Sequence, residues 1–122
     1  MRGKKKILIV DDEKPISNYL ARAFSRLDFD VVAAFDGLEA LEKARTEQPD
    51  IIILDLSIPK KDGLMVLKDL KASDLNAIPV VILSARDRLH EIREGLDAGA
   101  AEYICKPVFT EDLVKTVLAC LK

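Results

Sequence analysis

Short apolar runs rich in Ile and Val alternate along the chain with stretches whose apolar residues return every three or four positions. The runs lie at residues 6–10, 31–34, 51–54, 79–83 and, more weakly, 101–105. Three of them are apolar at every position rather than every second one, which predicts strands covered by helices on both faces. Between the runs, Ile16, Leu20, Ala23, Phe24 and Leu27 form the inner stripe of a first helix, with Pro15 tolerated in its first turn. Leu38, Leu41 and Ala44 mark a second helix, ended by Gln48-Pro49. Met65, Val66, Leu67 and Leu70 mark a third, and Leu89, Ile92 and Leu96 a fourth that ends near Gly99. Leu113, Val114, Val117, Leu118 and Leu121 mark a fifth, with Thr110 as its N-cap and Glu111 and Asp112 in the dipole-favoured first turn. This rhythm predicts an α/β protein of (βα)5 type, a doubly wound five-stranded parallel sheet with helices on both faces.

A length of 122 residues fits a single domain, 1–122, large enough to close a core without disulfides or structural metal. Hydrophobic residues at 49% and charged residues at 33% argue against disorder. The net charge of -2 does not supply the positive field that nucleic-acid binding by this segment needs. With one histidine, and with Cys105 and Cys120 far apart, zinc-ligand spacing is missing. A basic lead segment, residues 1–5, precedes an apolar stretch of only Ile7 to Val10, far short of a signal or membrane-spanning segment. Two unpaired cysteines fit a reducing compartment, so the expected location is cytoplasmic.

In an open parallel sheet, functional groups gather at the carboxyl ends of the strands. Those ends carry Asp11-Asp12, Asp55, Ser84-Ala85 and Lys106-Pro107. Any one of these aspartates reads most simply as a helix cap or turn former; their conjunction does not. Carboxylates about 4 Å apart repel by roughly 4 kcal/mol per pair at an effective dielectric near 20, so three together imply a cation. Mg2+ suits them better than a soft metal, because it takes carboxylate oxygens, keeps waters and completes its shell with phosphate. Lys106 suits a phosphoryl oxygen as a point charge, and Ser84 adds a hydroxyl donor. Together these groups describe a site that accepts a phosphoryl group on an aspartate.

The chain resembles the receiver domains of two-component response regulators, the CheY-like family, over essentially its whole length. The matching motifs are Ile9-Val10-Asp11-Asp12-Glu13, Leu54-Asp55-Leu56, Pro59 with Asp62-Gly63, Leu83-Ser84-Ala85, Gly99-Ala100 and Tyr103-Ile104-Cys105-Lys106-Pro107. The resemblance implies a flavodoxin-like strand order 2-1-3-4-5 and a phosphorylation-activated switch. It implies Asp55 as phosphoacceptor and Asp11, Asp12, Asp55 and the Ser57 backbone carbonyl as the Mg2+ ligands. Lys106, Ser84 and the Ala85 backbone would bind the phosphoryl group, with Ser84 and Tyr103 as switch residues and a cis bond before Pro107. The phosphoryl donor would be a sensor histidine kinase or a histidine phosphotransfer protein. The output surface would be the face formed by helix four, strand five and helix five, with homodimerisation on phosphorylation left open. Such a domain catalyses its own phosphorylation and dephosphorylation yet acts as a signal, not as a conventional enzyme.

Ser57, two residues after Asp55, and Arg86, two after Ser84, depart from the family's usual residues, and both are expected to alter the lifetime of the acyl phosphate. His90 reads as a solvated residue. Three rivals fit less well. A flavin or dinucleotide binder needs a glycine- or hydroxyl-rich loop after the first strand, where this chain has Asp11-Asp12-Glu13. An aspartyl-nucleophile phosphatase places a second aspartate two residues after the nucleophile, where Ser57 stands. A pseudo-receiver, a pure interaction module, would lack Asp55, Lys106 or the acidic pair.

Overall fold

A computed structural model describes residues 4–122; the first three residues of the basic lead segment lie outside the described residues. The elements run β1 (Lys6–Val10), α1 (Lys14–Arg26), β2 (Asp30–Ala34), α2 (Gly37–Glu47), β3 (Ile51–Leu54), α3 (Gly63–Lys71), β4 (Val80–Ser84), α4 (Leu89–Asp97), β5 (Glu102–Cys105) and α5 (Thr110–Cys120). All strand pairs are parallel and the sheet order is β2-β1-β3-β4-β5, as expected.

Alternate residues of the central strands feed two separate cores, which explains why those strands are apolar at every position. Ile7, Ile9, Ile51, Ile53, Val81 and Leu83 pack with Leu20 and Phe24 of α1 and Leu113 and Val117 of α5. Leu8, Val10, Ile52, Leu54, Val80 and Ile82 face the other way, onto Ala40 and Ala44 of α2 and Val66, Leu67 and Leu70 of α3. Burial on both sides leaves the strand directions no freedom, so the carboxyl ends of β1, β3 and β4 are fixed next to one another.

The helix stripes locate every helix but overstate what each buries. Leu27 falls outside α1 as its C-cap and is exposed, and Leu38, Met65, Leu89, Leu96 and Leu118 are exposed as well. α4 is the extreme case, because its one fully buried residue is Gly95. A groove lined by Lys68, Leu89, Arg93 and Asp97 separates it from α3. Thr110 is not the N-cap of α5; that position is Phe109, in extended geometry and without a side-chain cap, and its carbonyl accepts the first helical amides. Thr110 is already helical, and its hydroxyl donates to the Tyr19 hydroxyl instead (3.1 Å). Gly99 ends α4 at φ +110 with its amide on the Leu96 carbonyl and the Ala100 amide on Gly95, a Schellman closure that only glycine enters without strain. Both cysteines are free.

Gly63 opens α3 directly behind the loop that follows Asp55. Its amide donates to the Leu56 carbonyl (2.9 Å), and a Cβ there would lie 2.5 Å from the Asp55 carbonyl oxygen and the Leu56 Cα. These neighbours are backbone and cannot swing aside. Gly63→Ala is therefore expected to cost about 2 kcal/mol by overpacking, seen as a lower urea midpoint with an unchanged m-value.

Candidate functional site

The site is built by the hydrogen-bond ladder running one residue past the strands. The Asp11 amide donates to Ala34, the Asp55 amide to Val10 and the Lys106 amide to Ser84, which holds these residues at neighbouring strand ends. Asp11 and Asp55 are 2% and 6% exposed, an unusual depth for carboxylates and one that demands partners. They have them: the Lys106 ammonium donates to Asp11 Oδ2 at 3.0 Å and to Asp55 Oδ2 at 3.1 Å. Each carboxylate's other oxygen accepts a backbone amide, Asp11 Oδ1 from Glu13 (2.9 Å) and Asp55 Oδ1 from Ser57 (3.1 Å). Burial by itself would lower the pKa of Lys106, but the Asp11 hydrogen bond and the Asp55 charge outweigh it, and the ammonium is held above the ordinary lysine value.

Asp12 sits at the mouth of the site, exposed, and offers a carboxylate oxygen within 4.8 Å of those of Asp11 and Asp55. The three carboxylates and the one ammonium leave an excess of negative charge, and the donors are hard oxygens with solvent on one side. That donor set fits a divalent ion of the Mg2+ type and does not fit a soft metal.

Of the remaining expected residues, Ser84 is completely buried at the end of β4, with its Oγ accepting the Arg86 amide (3.2 Å). Ala85 follows it, exposed in the loop. The Lys106-Pro107 bond is cis, as the resemblance implied. Tyr103 lies apart from the carboxylates, half-buried against the α4 side of the sheet, and its hydroxyl donates to the Arg86 carbonyl at 2.6 Å. Burial raises its phenol pKa above the ordinary value.

This arrangement of an acidic pocket, a bridging lysine and a cis-proline at the ends of a 2-1-3-4-5 sheet has close counterparts. The family model described as "Response regulator receiver domain" matches residues 7–118. The chain belongs to that family. It is 42% identical over 118 residues to the alkaline phosphatase synthesis transcriptional regulatory protein PhoP of Bacillus subtilis (strain 168), covering 97% of this chain and 49% of that protein. It is 38% identical over 117 residues to the response regulator MprA of Mycobacterium ulcerans (strain Agy99), covering 96% of this chain and 50% of that one. The chain thus spans about half the length of the curated relatives it matches. Among solved structures, the receiver domain of the Francisella response regulator 1452 superposes with a TM-score of 0.91 at 36% identity, covering 97% of both chains. The BeF3-activated N-terminal receiver domain of Klebsiella pneumoniae RstA gives 0.91 at 30% identity, covering 97% of this chain and 99% of that one. The rival fold and enzyme readings find no support among these relatives.

Two features of this receiver domain were not legible beforehand. Ser57 and Arg86, both expected to alter the lifetime of the acyl phosphate, touch each other: Arg86 Nε donates to Ser57 Oγ (3.1 Å) and Nη2 to the Leu56 carbonyl (3.2 Å). Nη2 also pairs with Asp62 Oδ1 at 2.6 Å. The partners lie 24 to 30 residues apart, and only the folded loops bring them together. The second feature is an apolar hollow beside Lys106 and Pro107, lined by Ile16, Leu20, Leu83 and Val108, whose members come from both α1 and the β5–α5 loop.

Lys106→Met leaves two buried carboxylates facing each other. Breaking a buried pair costs about 3–5 kcal/mol, and because Lys106 keeps some solvent contact about 2 kcal/mol is expected at neutral pH in the presence of a chelator. The lysine's pKa is raised on folding, so its contribution is whole below the ordinary lysine value of 10.5 and is lost as the pH climbs through the higher native value. The difference in denaturation midpoint between wild type and variant should therefore stay constant up to mildly alkaline pH and close above that range.

Proposed function

We propose that this receiver domain, residues 1–122 as one unit, is a phosphorylation-activated switch that accepts a phosphoryl group on Asp55. The observation that carries the reading is the Lys106 ammonium bridging the buried Asp11 and Asp55 carboxylates at the open end of the sheet. Asp55 is the nucleophile: its oxygen attacks phosphorus, the phosphorus–nitrogen bond of a phosphohistidine breaks, and the imidazole leaves with the bonding pair. Lys106 is already within hydrogen-bond reach of the attacking carboxylate and would follow the charge onto a phosphoryl oxygen. Ser84 and the Ala85 backbone amide would supply neutral donors to the same group. Asp11, Asp12, Asp55 and the Ser57 carbonyl would hold Mg2+, which when bound neutralises charge on the transferring oxygens. Water attack at the same phosphorus returns the carboxylate and releases inorganic phosphate, so the domain resets itself.

The donor we infer is a sensor histidine kinase or a histidine phosphotransfer protein in the cytoplasm, a reading that membership of the response regulator receiver family supports. The output surface we infer is the face of α4, β5 and α5, where Leu89, Leu96 and Leu118 are exposed. Homodimerisation through that face is an option for the phosphorylated state. Among the described residues no helix is long and apolar enough to cross a membrane.

The deciding experiment is intact mass after incubation with Mg2+ and acetyl phosphate. Wild type should gain one phosphoryl group in a Mg2+-dependent way, and Asp55→Asn should gain none; equal labelling of both would remove Asp55 from the role. In parallel, Mg2+ at about 100 times its Kd should stabilise wild type by about 2.7 kcal/mol, and Asp11→Asn should abolish most of that gain in a thermal melt.

A further inference from the structure

We propose that Arg86 is the strut through which occupancy of the Asp55 site is transmitted to Tyr103. This rests on the reading of Asp55 as phosphoacceptor. Three hydrogen bonds in series join the two residues: the Ser57 amide donates to Asp55 Oδ1 (3.1 Å), Arg86 Nε to Ser57 Oγ (3.1 Å), and the Tyr103 hydroxyl to the Arg86 carbonyl (2.6 Å). Two further bonds of the guanidinium, to the Leu56 carbonyl and Asp62, keep the side chain from pivoting about Ser57. A planar fork that engages three acceptors on one loop moves with that loop, which a lysine's single ammonium would not do. The backbone of Arg86 is held as firmly, its amide on Ser84 Oγ and its carbonyl under the phenol.

The receiving end is equally constrained. A Cβ on Gly95 would lie 2.9 Å from Tyr103 Cδ2 and 2.8 Å from Ile82 Cδ1, so the ring fills the space that any side chain at this position of α4 would need. With α4 above it and the sheet below, the ring cannot keep its hydroxyl bond if the Arg86 carbonyl shifts. A phosphoryl group on Asp55 perturbs this chain at two points, through the Ser57 amide and through the Ser84 hydroxyl. Both converge on Arg86.

Tyr103 supplies its own reporter. The chain has two tyrosines and no tryptophan, so in a Tyr19→Phe background Tyr103 is the sole tyrosine and its fluorescence can be followed directly. Acrylamide quenching is measured with and without Mg2+ and beryllofluoride, with saturation confirmed by the bound 19F resonance. We expect the quenching constant to change on saturation, and Arg86→Ala to shrink that change at least about threefold. Asp62→Asn, which keeps the α3 cap but loses the charge pair, should fall between. It carries the same comparison if Arg86→Ala does not fold or bind. A full-sized Tyr103 response in the saturated variants, or none in the parent, overturns the strut. No beryllofluoride binding by the parent overturns the phosphoacceptor reading and the strut with it.

Discussion

Two carboxylates buried to within a few per cent of complete exclusion from water would ordinarily be intolerable, and the Lys106 ammonium is what makes them tolerable. The ammonium lies about 3 Å from both, and each carboxylate spends its second oxygen on a local amide. The arrangement is satisfied but not charge-balanced, since Asp12 adds a third acid at the mouth. A negative excess of hard oxygen donors at the end of the sheet is a donor set that could hold a cation. Most of the rest of the molecule serves to hold that imbalance in place.

The holding is done by the sheet. Residues of β1, β3 and β4 alternate between a core under α1 and α5 and a core under α2 and α3, so no strand can slide by one residue without exchanging its entire set of buried side chains. Asp11, Asp55 and Ser84 each follow or end such a strand, and their positions inherit its rigidity. The loops that carry the more variable groups are tied down separately: Gly63 presses against the Asp55 backbone, and Arg86 pins the β4–α4 loop to the start of α3.

The fold was legible because periodicity reports burial directly, and strands apolar at every position admit few alternatives to a sheet covered on both faces. The acid pocket was legible because its members stand at strand ends, where sequence order fixes spatial neighbourhood. Contacts between loops were not. Arg86 and Ser57 stand out in sequence only as departures from the family's residues and Asp62 only as part of a motif, and no local pattern says that a guanidinium from one loop will meet a hydroxyl and a carboxylate from another. Helix stripes misled in a different way: Leu27, Leu38, Leu89 and Leu96 keep the spacing of an inner face, yet spacing cannot say whether anything lies opposite. The misplaced cap at Thr110 has the same origin, since a threonine suited to capping was taken up by a tyrosine from another helix.

α4 is nine residues long, and glycine is its one fully buried residue. It contributes almost no apolar anchor to either core, so little hydrophobic stabilisation is lost when it leaves the sheet. The strands β1 and β3, by contrast, place nearly all of their side chains in one core or the other. The hydrophobic anchoring of the domain is therefore graded across its width, dense at β1 and β3 and sparse at α4.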